Sequence, residues 1–212
     1  MSNENTDLVY EMVIIGAGPA GIALAVEAVH KKINPERILI LEKEKKHSWA
    51  IRKLYPEEKL VTANYKGNDV SCEGELCLDD SSKKETLNYL SQALKDHDLK
   101  VNYLESVIQI EQKVTNQFVV TTNKDVYFTN TCALAIGVFG SPNTPNYEIP
   151  VELKDKVFFD VTSEKMEGLT ILVVGGGDSA GEYALHLAEK GNDVTLSYRR
   201  DSFIRMNDKN RA

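Results

Sequence analysis

Residues 16–21 read Gly-Ala-Gly-Pro-Ala-Gly, a G-x-G-x-x-G turn placed directly after the apolar run 10–15 and before the Ala-, Leu- and Val-rich stretch 20–31. This turn narrows the possible folds more than any other feature of the chain. A short apolar run ending in glycine predicts a buried parallel strand, and the stretch that follows predicts a helix packed on a sheet. In that setting Gly16 permits the tight turn, and Gly18 lets the backbone approach a pyrophosphate. Gly21 lets helix and strand pack closely, while the helix N-terminus, entered through Pro19 and Ala20, faces the anion. Pro35 marks the return, and 37–41 is a second apolar strand stopping at Glu42, 26 residues after Gly16. A carboxylate there can accept both hydroxyls of an adenosine ribose. The competing explanation is a glycine turn needed only for packing, with Glu42 a solvated strand end.

The same theme returns about 160 residues later. An apolar strand at 169–174 runs into Gly175-Gly176-Gly177-Asp178-Ser179-Ala180, a G-x-G-x-x-A turn, followed by a helix to Lys190 and a strand at 193–198. Each β-α-β unit implies parallel strands. Between them, 43–82 is irregular and polar, 83–98 has the Leu spacing of an amphipathic helix, and 100–103 is a short strand. Residues 106–129 are β-rich, with turns expected at Asn116 and Asn123, and 131–136 reads as one more buried strand closed by Gly137. Pro142, Pro145 and Pro150 mark an inter-domain connection. The expected class is therefore α/β: two Rossmann-like units with parallel sheets, a β-rich meander inserted in the first. The expected division is a first domain over 1–140, a connection over 141–156 and an incomplete second domain over 157–212.

The second unit lacks an acid at its strand end. Ser197 and Tyr198 lead instead into Arg199 and Arg200, with Arg205 beyond. A carboxylate would repel a ribose 2′-phosphate, whereas guanidinium groups bind it through forked, charge-assisted hydrogen bonds. The pattern predicts NADPH over NADH; the alternative is an exposed basic edge.

Composition excludes several classes. A net charge of −7 with no basic cluster argues against nucleic acid as a partner. The eighteen residues 12–29 carry a single charge, Glu27, but contain Gly16, Gly18, Pro19 and Gly21 and follow an acidic flank, so neither a membrane span nor a signal peptide is expected. Three cysteines make no disulfide framework and suit a reducing cytosol. No His/Cys cluster has metal-ligand spacing.

GAGPAG with a strand-end Glu, the segment Ala133-Leu134-Ala135-Ile136-Gly137, and GGGDSA with a trailing Arg-Arg pair occur in that order. Over roughly residues 10–205 the chain resembles the two-dinucleotide-binding flavoproteins of the pyridine nucleotide-disulfide oxidoreductase superfamily, nearest the thioredoxin-reductase-like branch. The resemblance implies that the first unit binds FAD and the second NADPH. It also implies that hydride passes from nicotinamide to flavin and on to a disulfide, another redox partner or oxygen, in a cytoplasmic homodimer. Gly16, Gly18, Pro19 and Ala20 would contact the FAD pyrophosphate and Glu42 its ribose. Lys43 would lie beside the adenosine, Val107 would meet adenine through its backbone, and Gly137 would close the family's Ala-Thr-Gly turn, here with Ile136 for Thr. Gly175, Gly177, Asp178, Ser179 and Ala180 would face the NADPH pyrophosphate, with Arg199, Arg200 and Arg205 around the 2′-phosphate.

The sequence also departs from that pattern. Thioredoxin reductases carry Cys-x-x-Cys just before the second glycine turn, where residues 157–162 here hold no cysteine. The glycine and histidine of the flavin monooxygenase fingerprint are absent, since no histidine lies between His97 and His186. The resemblance therefore points to relatives without that dithiol, such as ferredoxin–NADP reductases and bacillithiol disulfide reductases. It also implies a later segment returning to the flavin domain, which this sequence does not contain, so a truncated nucleotide-binding module without catalytic turnover is the alternative to a reductase. Cys72 and Cys77 have C-x-x-x-x-C spacing, but their acidic neighbours Glu73 and Glu75 would raise a thiol pKa; they are expected as loop thiols, with an internal relay as the alternative. No catalytic side chain is assigned.

Overall fold

The computed structural model describes residues 8–57, 59–63, 71–113, 117–138, 140, 144–206 and 210. Asn116 and Pro142, both singled out above, lie outside them. The chain divides into two compact units: Met1–Arg52, Ser71–Asp79 and Lys84–Ser141 form one, and Lys53–Val70, Asp80–Lys83 and Pro142–Ala212 the other. Lys53–Val70 and Asp80–Lys83 thus group with the second glycine turn, whereas the linear division above put them with the first.

The first unit is built on β1 (Val9–Ile15), α1 (Pro19–His30) and β2 (Ile38–Glu42). The short helix α2 (Trp49–Leu54) and the strand pair β3 (Leu60–Val61) and β4 (Ser81–Ser82) come next in the chain. After them, α3 (Lys83–Asp96) leads to β5 (Lys100–Tyr103), and the meander β6 (Val107–Gln112), β7 (Phe118–Thr122) and β8 (Val126–Leu134) completes this unit. The sheet order is β5-β2-β1-β8-β7-β6, parallel through β8 and antiparallel beyond it. All five residues of β2 are buried, the signature of a strand covered on both faces. On one face Ile14, Ile38 and Ile40 meet Ile22, Ala25 and Val26 of α1 and Leu90 and Leu94 of α3. On the other face Val13, Ile15, Leu39 and Leu41 meet Val120, Val107 and Tyr127 of the meander. Alternate side chains of β1 and β2 thus feed two cores, and each fully buried Ile or Leu contributes about 1.5–3 kcal/mol.

Two expectations are corrected here. The β-rich segment and the strand after it are not separate: β8 runs unbroken through Asn130, pairing with β7 at one end and β1 at the other. Nor is the end of the 131–136 run buried: Leu134, the last residue of β8, and Ile136 beyond the strand are each 67% exposed. An apolar run marks a strand but does not say which face is covered.

The second unit pairs β9 (Thr170–Val174) in parallel with β10 (Asp193–Ser197), joined by α4 (Asp178–Glu189). Only one face of the pair packs on α4; on the other, Leu172 and Val174 are exposed. In this unit the β3–β4 pair is antiparallel, the Tyr183 hydroxyl donates to the Leu54 carbonyl at 3.1 Å, and Lys59 pairs with Glu182. Among the described residues no helix is long and apolar enough to cross a membrane.

Candidate functional site: two glycine turns at helix N-termini

At the first turn, β1 ends and Gly16 takes φ +107, a conformation that L side chains rarely adopt. Its N–H donates to the Leu41 carbonyl at 2.8 Å, and a Cβ on it would overlap the Ala135 carbonyl oxygen. A Cβ on Gly21 would overlap the Gly16 carbonyl oxygen, so these two glycines are demanded by the protein itself. Gly18 is different. Its backbone is extended (φ −80, ψ 178), within reach of any residue, and nothing lies within 4 Å of where its Cβ would stand. The packing explanation therefore covers Gly16 and Gly21 but not Gly18. A Cβ at Gly18 would fill open space in front of α1, whose N-cap has no side-chain hydrogen bond and whose first turn holds no acid. Backbone N–H groups at such a helix N-terminus fit an anion such as a pyrophosphate.

Glu42 is buried beside that turn. Its Oε2 accepts the Ala17 N–H at 2.9 Å and its Oε1 the Glu44 N–H at 3.0 Å. A carboxylate offers about four acceptor sites, so capacity for a ribose diol remains after these two bonds. Glu42 is thus no solvated strand end. Glu105 N–H donates to the Glu42 carbonyl at 2.9 Å, bringing the start of the meander, and Val107 two residues on, to the end of β2. Ala135 N–H donates to the Ile15 carbonyl at 2.8 Å, which brings Gly137 (φ +66) to the same turn. Lys43 is exposed, its ammonium 5.8 Å from the centroid of the Trp49 ring.

At the second turn Gly177 repeats the Gly18 arrangement: extended backbone (φ −105, ψ 178), no side-chain cap on α4, and nothing within 4 Å of a Cβ. Asp178 sits in the first turn of α4, followed by Ser179 and Ala180; a Cβ on Gly175 would approach that of Ala180 to 2.9 Å. Gly175 N–H donates to the Ser197 carbonyl at 2.9 Å, which sets Arg199 and Arg200 two and three residues beyond this contact. Arg205 comes back to the turn, its backbone bridged to Gly177. All three arginines are exposed. The residues present at both turns fit a dinucleotide, the first with an acid for a ribose and the second with cations for a phosphorylated one.

Sequence reasoning missed several supports. The Tyr198 ring lies on Gly176, where a Cβ would overlap it, and stacks on Phe203 at 5.4 Å. Ser48, at φ +57, donates its N–H to the Ala17 carbonyl at 2.8 Å. His47 beside it is buried: its Nε2 lies 2.9 Å from Arg52 Nη2 and 2.7 Å from the Ser91 hydroxyl, and its Nδ1 lies 3.0 Å from the Ser48 hydroxyl. Burial, then the Arg52 charge, lowers its pKa to about 4, so the ring is neutral near pH 7. The only signal for these contacts was a Trp and an Arg in a stretch read as irregular, which in fact holds α2.

Cys72 and Cys77 are not loop thiols; they form a disulfide with Cα atoms 5.6 Å apart. Cys132 is free and half-buried, and burial raises its thiol pKa. Among the described residues no group of His, Cys, Asp or Glu could hold a metal ion.

Comparison with known proteins adds the following. Residues 13–211 match the family described as pyridine nucleotide-disulphide oxidoreductase. The chain is 30% identical over 198 residues to a ferredoxin–NADP reductase of Sulfurisphaera tokodaii, covering 92% of this chain and 55% of that one. It is 30% identical over 190 residues to the uncharacterized oxidoreductase CzcO of Bacillus subtilis, covering 85% and 52%. The structure of the bacillithiol disulfide reductase Bdr (YpdA) from Staphylococcus aureus superposes with a TM-score of 0.77 at 29% identity, covering 95% of this chain and 61% of that one. The chain spans about half the length of these curated relatives.

Proposed function

Since the chain belongs to the pyridine nucleotide-disulphide oxidoreductase family, we infer that its first unit holds FAD, its second holds NADPH, and reducing equivalents leave for a disulfide or a small redox protein. The observation that carries this is the matched pair Gly18 and Gly177, two glycines with ordinary backbone and open space at the N-termini of α1 and α4. Glu42 accepts the hydroxyls of the FAD ribose, while Ala17 and Glu44 hold its carboxylate in orientation. Arg199, Arg200 and Arg205 surround the 2′-phosphate. Bound there, the flavin supplies acceptance of hydride, and the chain's part is to hold both nucleotides and exclude competing geometries. The relatives named for ferredoxin and for bacillithiol disulfide support a redox acceptor and leave its identity to experiment.

The test is a visible spectrum after addition of FAD, followed by anaerobic titration with NADPH and NADH. Protein-bound absorption near ~450 nm that NADPH bleaches in preference to NADH is expected. Absence of bound flavin overturns the FAD assignment. In an Arg199→Ala/Arg200→Ala variant the preference for NADPH should vanish with NADH bleaching unchanged; an undiminished preference would refute the arginine assignment.

A further inference from the structure

The disulfide closes Cys72-Glu73-Gly74-Glu75-Leu76-Cys77 into a ring that the dinucleotide sites do not use. The ring is docked on the carboxyl-terminal half of α1. Glu75 N–H donates to Glu27 Oε1 at 2.5 Å, its carboxylate lies 3.1 Å from His30 Nδ1, and Leu76 packs on the helix-side core. Gly74 permits the approach, since a Cβ there would stand 2.8 Å from Glu27 Oε1.

Two observations distinguish this pair from an inert cross-link. Cys72 is exposed while Cys77 is half-buried, so an incoming thiolate meets Cys72 first. The Gly74 carbonyl oxygen lies 3.4 Å from Cys72 Sγ and 3.2 Å from Cys77 Sγ, so both S–H groups of a dithiol find an acceptor already in place. One loop geometry serves both redox states.

We propose that Cys72 and Cys77 form a reversible dithiol–disulfide site for low-molecular-weight thiols, separate from the electron path between the nucleotides. A thiolate RS⁻ bonds to Cys72 Sγ as the Cys72–Cys77 bond breaks, and Cys77 leaves as a thiolate that takes a proton from water. A second RS⁻ bonds to the sulfur of the RS group and releases RSSR and the Cys72 thiolate. Two thiols thereby lose the two electrons that the disulfide gains. The separation follows from α1: Glu27 lies nine residues beyond Gly18, about 13 Å along the axis at about 1.5 Å per residue. Glu73 and Glu75 make the approach selective, repelling anionic thiols and favouring cationic ones at low salt.

Counting thiols tests this on the whole chain without reliance on bound cofactor. Air-purified protein, denatured in a maleimide-polyethylene glycol, should add one label, on Cys132. After native incubation with cysteamine it should add three, and cystamine should restore one. At low salt cysteamine should open the bond faster than glutathione, and added salt should narrow the gap. Three labels persisting after cystamine, or one label persisting after cysteamine, would overturn the site. With FAD supplied, NADPH alone should leave the count at one. A rise to three with NADPH would overturn the separation and make the pair a relay. Failure to bind flavin at all leaves the thiol counts, and so this proposal, intact.

Discussion

Gly18→Ala and Gly16→Ala should fail in opposite ways, and the contrast tests the cofactor argument directly. At Gly18 the backbone suits alanine and no protein atom lies within 4 Å of the new methyl group. The substitution should therefore leave the apoprotein unharmed or stabilise it by about 0.4–1 kcal/mol through a less flexible unfolded chain. The methyl group would occupy the approach to the N-terminus of α1, where Pro19 offers no N–H and Ile22 already donates to the Gly18 carbonyl at 3.0 Å. A pyrophosphate held off this turn forfeits about two charge-assisted hydrogen bonds, each worth about 1.5–3 kcal/mol. That corresponds to roughly 10²- to 10⁴-fold weaker FAD binding. At Gly16, φ +107 and overlap with the Ala135 carbonyl should destabilise the apoprotein by about 1–3 kcal/mol or more. Urea unfolding of apoprotein and quenching of flavin fluorescence read the two effects separately. Wild-type FAD affinity in Gly18→Ala would refute the assignment, as would a loss of apoprotein stability there.

Two further outcomes follow from contacts outside the glycine fingerprint. Gly176→Ala should force the Tyr198 ring off the second turn and weaken NADPH binding with little change in FAD binding; equal losses for both nucleotides, by isothermal titration, would count against it. The His47 pKa, lowered to about 4 from an ordinary 6.5, means that the unfolded chain binds the proton more tightly. Its contribution is complete above pH 6.5 and is lost as pH falls toward 4, by an amount on the order of 3 kcal/mol. Urea midpoints measured across that range should flatten in His47→Gln, and an unchanged slope would refute the linkage.

What could be read in advance was whatever glycine spacing and strand-length apolar runs encode. Gly16, Gly18 and Gly21 announced a strand, a turn and a helix because two of them meet backbone too closely for any side chain. Glu42 was legible for the same reason, standing where a parallel strand must end. Ser48, His47 and Tyr198 were not legible, since each acts through a contact that closes only when segments distant in sequence fold back: Ser48 on Ala17, His47 on Ser91, Tyr198 on Gly176. The helix Trp49–Leu54 escaped notice because six residues carry too little periodicity, with one buried side chain, Ile51. The Cys72–Cys77 bond was not legible because the reading rested on the acidic neighbours Glu73 and Glu75, whereas pairing depends on the local geometry that brings the two Cα atoms to 5.6 Å.

Ala17 has no exposed surface, and its peptide groups are engaged on both sides, the N–H by Glu42 and the carbonyl by Ser48. The consequence is kinetic. A ligand arriving at this turn meets a carboxylate already aimed and a backbone that need not reorganise, so the entropy of ordering is settled during folding. Association should then be limited by encounter, and variants that loosen Glu42 or Ser48 should differ from the parent chiefly in how quickly the nucleotide departs.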